Sequence, residues 1–217
     1  MKEKMNYIYE KYHLKYLLLI ALLYGGKLIL YELSNVINTN WHLIDMKIDG
    51  YVPFCKYFLI FYYTYYFYPP LLLYLMSYAD KRKFYRLLIA CAIACVIANI
   101  CFALYQVKMI RPEIVGNDIF DIWLKFTYSM DRRAVNCFPS VHALMGTAMV
   151  IGGYNTKKFS KKFKVLSVVC GVGCIISTVF VKQHYVIDMV AGVILMLICY
   201  GIVLLIDKKI NNKKELK

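Results

Sequence analysis

The chain has 217 residues, of which 61% are hydrophobic and 18% charged, and its formal net charge is +14. A soluble globular domain is about 45–50% apolar and about 25% charged, so this composition excludes an ordinary soluble globule and points to one membrane domain. The basic residues fall in short segments between apolar runs, with no zinc-finger spacing, basic amphipathic arm or stacking-aromatic motif, which argues against a nucleic-acid partner.

Residues 1–15 are polar and basic, with Lys2, Lys4, Lys11 and Lys15. Tyr16 to Leu33 is the first apolar run, interrupted by Lys27, which either snorkels or faces the bundle. The run lacks a small-residue cleavage site and reads as an anchor, not a cleavable signal peptide. Residues 34–50 are more polar, with Asn35, Asn38, Trp41, His42, Asp45 and Asp49. Tyr51 to Tyr78 is a long aromatic run broken by Pro69-Pro70; its tyrosines suit an interfacial belt and its prolines a kinked helix. Residues 79–86 carry Lys81, Arg82, Lys83 and Arg86, and Leu87 to Gln106 forms the third span. Residues 107–137 are the longest polar connection, with Phe120 to Phe126 expected as a short interfacial amphipathic helix. Phe138 to Gly153, Val165 to Val181 and His184 to Ile206 complete the set, and residues 154–164 between the first two of these hold five lysines.

Each run is near the ~20 residues a helix needs to cross the hydrocarbon. The expectation is an all-α, six-transmembrane-helix bundle over residues 16–206, in a single domain spanning 1–217 with a basic tail at 207–217. Six spans place both termini on one side, and that side holds 18 of the 27 basic residues. The positive-inside rule makes it the cytoplasm. The eight cysteines lie mostly within apolar runs and read as small packing residues, including the Cys91/Cys95 and Cys170/Cys174 pairs at helical spacing, so no disulfide framework is expected. His13 and His42 have no partner motif.

The polar groups that remain converge on the outer face. Arg111 follows span three, His142 opens span four, Lys182 ends span five, and His184 and Asp188 open span six. His184 and Asp188 are one helical turn apart and share a face. An aspartate inside a membrane helix costs at least ~2.5 kcal/mol on insertion scales, so Asp188 needs a partner, and His184 is the nearest. Pro139 suits the first helical position, and the amides of Ser140, Val141 and His142 behind it would form an anion site at a helix N-terminus. The Ser140 hydroxyl adds a donor, while Arg111, Lys182 and Lys108 are candidate phosphate cations, with Arg132 and Arg133 further off. Two histidines and an orienting carboxylate suit covalent phosphoryl transfer: Asp188 fixes the tautomer of His184, the other ring nitrogen attacks phosphorus, and His142 serves as acid and then base. No metal or other cofactor is called for, because cationic side chains supply the positive charge.

Arg111-Pro112, Pro139-Ser140-Val141-His142, and Ser177-Thr178 followed by His184 and Asp188 resemble, in order, the three signature motifs of the type 2 phosphatidic acid phosphatase superfamily. That family also includes bacterial acid phosphatases, vanadium haloperoxidases and the sphingolipid synthases. The resemblance implies His184 as nucleophile, Asp188 as its orienting partner, His142 as acid and base, and Arg111 and Ser140 as phosphate ligands. Three positions depart from it: Leu104 stands where the family has a Lys, Val141 where it has a Gly, and Thr178 where it has an Arg. Lys182 and Lys108 are the candidates to replace the missing cations. Pro-Ser-Val-His and Lys-Gln-His-Tyr-Val-Ile-Asp look closer to the sphingolipid-synthase and inositol-phosphorylceramide-synthase branch than to ordinary lipid phosphatases.

The expected function is therefore a multi-pass lipid phosphatase of the cell membrane, its site facing outside and its substrate a lipid phosphomonoester or pyrophosphate. The Lys-, Ile-, Tyr- and Asn-rich composition suits a bacterial plasma membrane. Two alternatives stand beside it: a head-group phosphotransferase that uses the same residues with an alcohol acceptor, and a non-enzymatic membrane protein that retains the fold.

Overall fold

The computed structural model describes residues 10–37 and 40–215, with side chains over 10–36 and 40–212. Lys2, Lys4, Asn38 and Lys217, and the side chains of Lys213 and Lys214, lie outside the described residues. The helices are α1 (Leu14–Ile37), α2 (Lys47–Tyr51), α3 (Leu59–Ala79), α4 (Lys81–Leu104), α5 (Ile119–Met130), α6 (Val141–Asn155), α7 (Lys161–Phe180) and α8 (Val186–Glu215). Two short strands, β1 (Trp41–His42) and β2 (Gln106–Val107), pair in parallel and were not visible in the apolar pattern.

Among the described residues, four helices are long and apolar enough to cross a membrane: α1, α4, α7 and α8. The two other expected spans fall short for separate reasons. α3 has 21 residues but carries seven tyrosines, which lower its hydropathy. α6 has 15 residues, about 22 Å at the helical rise, against a hydrocarbon core of about 30 Å. The tyrosine-rich run also begins later than its composition suggests. Pro53 holds Val52 extended, a short 3-10 turn covers Lys56–Phe58, and α3 starts at Leu59. Pro69 and Pro70 lie within α3, which continues through them, with Tyr62 and Tyr65 buried before the pair and Leu72 and Leu73 buried after it.

The helix ends gather in two groups. At one end, Asn136 before α6 donates to Ser34 Oγ of α1 at 2.9 Å. There too Cys55 N–H, before α3, donates to the carbonyl of Phe180 at the end of α7 at 2.9 Å. The β1–β2 pair ties the chain after α1 to the chain after α4 at this same end. At the opposite end, Asp207 of α8 accepts from Arg82 and Arg86 of α4, and Lys83 Nζ donates to the Asn155 carbonyl at 2.6 Å. The basic segments 81–86 and 157–164 sit at this second end. α5 packs on α3, with Leu124 buried beside Leu59 and Tyr62 and the Tyr63 and Trp123 rings 4.6 Å apart. Asp118 caps it by accepting from the N–H groups of Phe120 and Asp121, and Lys56 pairs with Asp118 at 2.5 Å and with Asp121 at 2.7 Å. That ammonium holds the Asp118 carboxyl below its ordinary value.

α6 is the central helix, packed on α7, α8, α3 and α4. Its contact with α7 is backbone to backbone. A Cβ on Gly146 would lie 2.7 Å from the Gly171 carbonyl oxygen, and one on Gly171 would lie 2.6 Å from that of Gly146. Small residues at a membrane crossing permit this close approach. Gly171→Val should therefore destabilise the protein by about 1–3 kcal/mol, read as a lower melting temperature in detergent. Gly201→Ala, which meets no heavy atom within 4 Å, should be neutral or stabilising by up to about 1 kcal/mol. Equal effects from the two changes would contradict this packing.

Candidate active site

His184 is placed by the end of α7. Lys182 takes a left-handed conformation (φ 51°), and the N–H groups of Gln183 and His184 both donate to the Thr178 carbonyl, at 3.0 and 3.1 Å. A helix C-terminus commonly ends on such a left-handed residue, usually glycine, so a lysine gives no sequence signal for it. The chain then enters α8 at once. His142 is placed by the start of α6, where Ser140 is the N-cap and its Oγ accepts from Ala143 N–H at 3.2 Å. Ser140 N–H donates to the Asp188 carbonyl at 3.0 Å. Gly192, one turn further along α8, faces the same point: a Cβ there would lie 2.2 Å from the Ser140 carbonyl oxygen.

These contacts bring His142 and His184 together with ring centroids 5.7 Å apart. His184 Nδ1 lies 2.9 Å from the carbonyl oxygen of Cys137. A carbonyl can only accept, so Nδ1 carries a proton, and in the neutral ring the lone pair is on Nε2. The sequence suggested Asp188 for this orienting role. Asp188 Oδ2 is instead 3.6 Å from Nδ1 and accepts from Tyr185 N–H at 2.9 Å. Asp188 is fully buried, and its Oδ1 has no hydrogen-bond partner among the described residues.

His142 is enclosed by tyrosines of α3. Tyr62 stacks on it at 4.2 Å, and Tyr65 packs against it in a tilted contact at 4.0 Å between centroids. Its Nε2 is buried without a hydrogen-bond partner among the described residues. The amide cradle is narrower than the sequence implies. The N–H groups of Ser140 and Ala143 are taken, by Asp188 O and Ser140 Oγ, which leaves Val141 and His142 as first-turn donors.

The expected cations have different surroundings. Arg111 Nη1 donates to the carbonyls of Asp131 (2.6 Å) and Tyr128 (3.3 Å); Nη2 donates to Asp131 Oδ2 (2.7 Å) and Gln183 Oε1 (2.5 Å). Gln183 adjoins His184, so Arg111 reaches the site's edge. Its Nε is buried without a partner among the described residues. Tyr128, under the guanidinium, donates to the Val181 carbonyl at 2.8 Å, and burial pushes its phenol up to about 12. Lys182 turns away from the histidines: its Nζ donates to the carbonyls of Val52 (2.6 Å) and Asp49 (3.4 Å). Lys108 places its ammonium over the Trp41 ring, 4.4 Å from the centroid.

Cys137, His184 and Asp188 also offer metal-ligand atoms within 4.8 Å of one another, all three buried. Two of these groups are already committed, because the Cys137 thiol donates to the Ala134 carbonyl and His184 Nδ1 is held by the Cys137 carbonyl. A cavity of about 400 Å³ opens elsewhere, beside Phe54, Lys56, Tyr57, Glu113 and Asp121, and its lining holds neither histidine. His13 and His42 lie apart, stacked on Tyr78 and Tyr105. Sequence reading missed Gln183, the Cys137 carbonyl, Asp131 as the partner of Arg111, and the Tyr62–Tyr65 enclosure. None is signalled locally, since each partnership joins distant segments.

A family model described as the PAP2 superfamily matches residues 28–202 of the chain. No curated protein and no solved structure gives a significant match. The matched region includes every site residue described above. Gly192→Ala should push the Ser140 cap away from α8 and lower phosphate-ester turnover by about 100-fold, the scale of an ångström misplacement, while the protein remains folded by size-exclusion chromatography. Unchanged turnover would contradict the tight α6–α8 junction.

Proposed function

The chain belongs to the PAP2 superfamily, whose members are generally phosphoric ester hydrolases, with phosphatase- and phosphotransferase-type activity; on that footing we propose that it is an integral-membrane lipid phosphatase. It hydrolyses a lipid phosphomonoester or pyrophosphate at the outer face of the cell membrane through a phosphohistidine on His184, and it needs no metal. The observation that carries this reading is the 2.9 Å contact between His184 Nδ1 and the Cys137 carbonyl. It fixes the tautomer with a free lone pair on Nε2, 5.7 Å between ring centroids from a second histidine.

In the first half-reaction the Nε2 lone pair of His184 bonds to phosphorus. The bond from phosphorus to the lipid oxygen breaks, its electron pair stays on that oxygen, and protonated His142 gives the oxygen its proton. In the second, neutral His142 takes a proton from water. The water oxygen bonds to phosphorus, and the phosphorus–nitrogen pair returns to His184. Arg111 binds the equatorial oxygens by exchanging the Asp131 carboxylate for the substrate. The amides of Val141 and His142 add the helix N-terminus. Lys182 and Lys108 enter as phosphate ligands only by leaving the carbonyls and the Trp41 ring that hold them.

A six-span arrangement, with α3 and α6 crossing alongside α1, α4, α7 and α8, gives both termini to the cytoplasm. The basic segments 81–86 and 157–164 sit at the end opposite the histidines, which supports an outward-facing site under the positive-inside rule. The transferase reading shares the first half-reaction and replaces water by an alcohol. It is favoured by Pro139-Ser140-Val141-His142 and by the run Lys182-Gln183-His184-Tyr185-Val186-Ile187-Asp188, which look closer to the sphingolipid-synthase branch.

The test is release of free phosphate from phosphatidic acid and from undecaprenyl pyrophosphate in detergent with EDTA present. Wild type should release phosphate from at least one, and His184→Ala should lose about 1,000-fold or more, as expected for removing a nucleophile. Phosphate that appears only on an added alcohol establishes the transferase instead. Release that persists in His184→Ala, or that EDTA abolishes, overturns the mechanism.

A further inference from the structure

Lys27 is a cation in the middle of α1, ten residues before the helix ends. An ionised side chain in a membrane-spanning helix is costly and is retained where it faces the bundle and has a use. Lys27 faces the bundle. Its Nζ donates to Tyr65 Oη at 2.5 Å. It also lies against two aromatic faces, 4.3 Å from the Tyr65 centroid and 4.5 Å from that of Tyr24. These contacts compensate its charge. They also extend to the histidine pair, because the Tyr65 ring lies against His142 as well, 4.0 Å away between centroids. One tyrosine ring therefore separates the ammonium from the proposed acid and base.

We propose that Lys27 is a positioning residue for the phosphoryl-transfer site, acting through Tyr65 to hold the His142 ring in register with His184. The assignment rests on the phosphatase reading above and extends it to a residue outside the three motifs. The physical reason for such a device is the state of His142 itself. Its Nε2 makes no hydrogen bond among the described residues, and the ring is held by packing against Tyr62, stacked at 4.2 Å, and Tyr65, tilted by 38° at 4.0 Å. Stacking permits a ring to slide and tilt within its plane. Pinning the Tyr65 hydroxyl removes that freedom for one of the two rings. Tyr65 is thus a ring with a fixed end, its hydroxyl held by Lys27. The pin comes from a different helix, so it also ties the position of α1 to the site on α6.

A purely structural lysine and a positioning lysine predict opposite patterns. Lys27→Met removes the charge but keeps the stem. If the residue only stabilises the fold, the variant melts lower than wild type and turns over normally. If it positions His142, the variant melts at or above wild type, because a costly polar group has left the bilayer, and kcat falls by about 10- to 100-fold, within the range of general acid–base catalysis, with KM changed less than threefold. Tyr65→Phe, which keeps the ring and loses only the hydroxyl, should match that loss. The double variant should be no slower than either single one, since the two residues act as a unit. Lys27→Arg, which keeps a donor, should recover part of the rate.

The experiment measures phosphate release from phosphatidic acid and undecaprenyl pyrophosphate, together with melting in the same detergent, for these variants beside wild type and His184→Ala. An active, His184-dependent wild type with Lys27→Met within twofold of it in kcat overturns the Lys27 role and leaves the phosphatase reading intact. So do losses that multiply in the double variant, a rise in KM at unchanged kcat, or a drop in melting temperature with normal turnover. Activity that does not need His184 overturns the phosphatase reading and, with it, this extension.

Discussion

The hydrogen bond from Ser140 N–H to the Asp188 carbonyl, 3.0 Å long, joins the start of α6 to the first turn of α8, and the geometry of the histidine pair depends on it. Gly192 allows the approach by presenting no Cβ to the Ser140 carbonyl. The Cys137 carbonyl, just before this junction, orients His184 across it. His142, just after it, takes its direction from the helix that Ser140 caps. The two histidines are thus fixed by one crossing of two helices. Backbone atoms make most of that crossing, which is why residues of modest chemistry, a glycine and a cysteine carbonyl, matter as much as the ionisable ones.

Around this junction the protein trades solvent for aromatic surfaces. Tyr62 and Tyr65 enclose His142, Tyr128 lies under Arg111, and Tyr185 contributes the N–H that Asp188 accepts. In hydrocarbon a lone polar group is expensive, and tyrosine offers an apolar face with a polar tip in one side chain. The tyrosine content of α3 follows from that requirement as well as from any interfacial belt: one face of the helix lines a polar site inside the bundle. The same content lowers its hydropathy, and α3 is not among the helices apolar enough to cross a membrane.

Much of the arrangement was legible in advance because it follows from local pattern. Runs of apolar residues located the helices α1, α3, α4, α6, α7 and α8, and the positions of His142, His184 and Asp188 at helix starts predicted that they would meet at one end. Their spacing also made the resemblance specific enough to anticipate the family. What escaped was set by contacts between segments far apart in the chain. The orienting acceptor of His184 is a backbone carbonyl 47 residues away, and a carbonyl has no sequence signature. The turn that presents His184 uses Lys182 in a conformation usually given to glycine. Lys182 was an expected phosphate ligand from its position beside the site, yet its side chain caps the carbonyls of Asp49 and Val52, a segment whose place next to α7 only the fold reveals. The β1–β2 pair is two residues per strand, too short for any periodicity.

The central claim is that His184 carries phosphorus during turnover. The direct measurement is rapid-quench labelling with ³²P-labelled p-nitrophenyl phosphate, followed by peptide mass spectrometry, in wild type and in His142→Ala. This substrate leaves without protonation, so the variant can form the intermediate but lacks the base that resolves it. The account predicts an acid-labile, alkali-stable label on His184 that accumulates in His142→Ala above the wild-type level. Turnover with no label on any residue, or label on a residue other than His184, would contradict it.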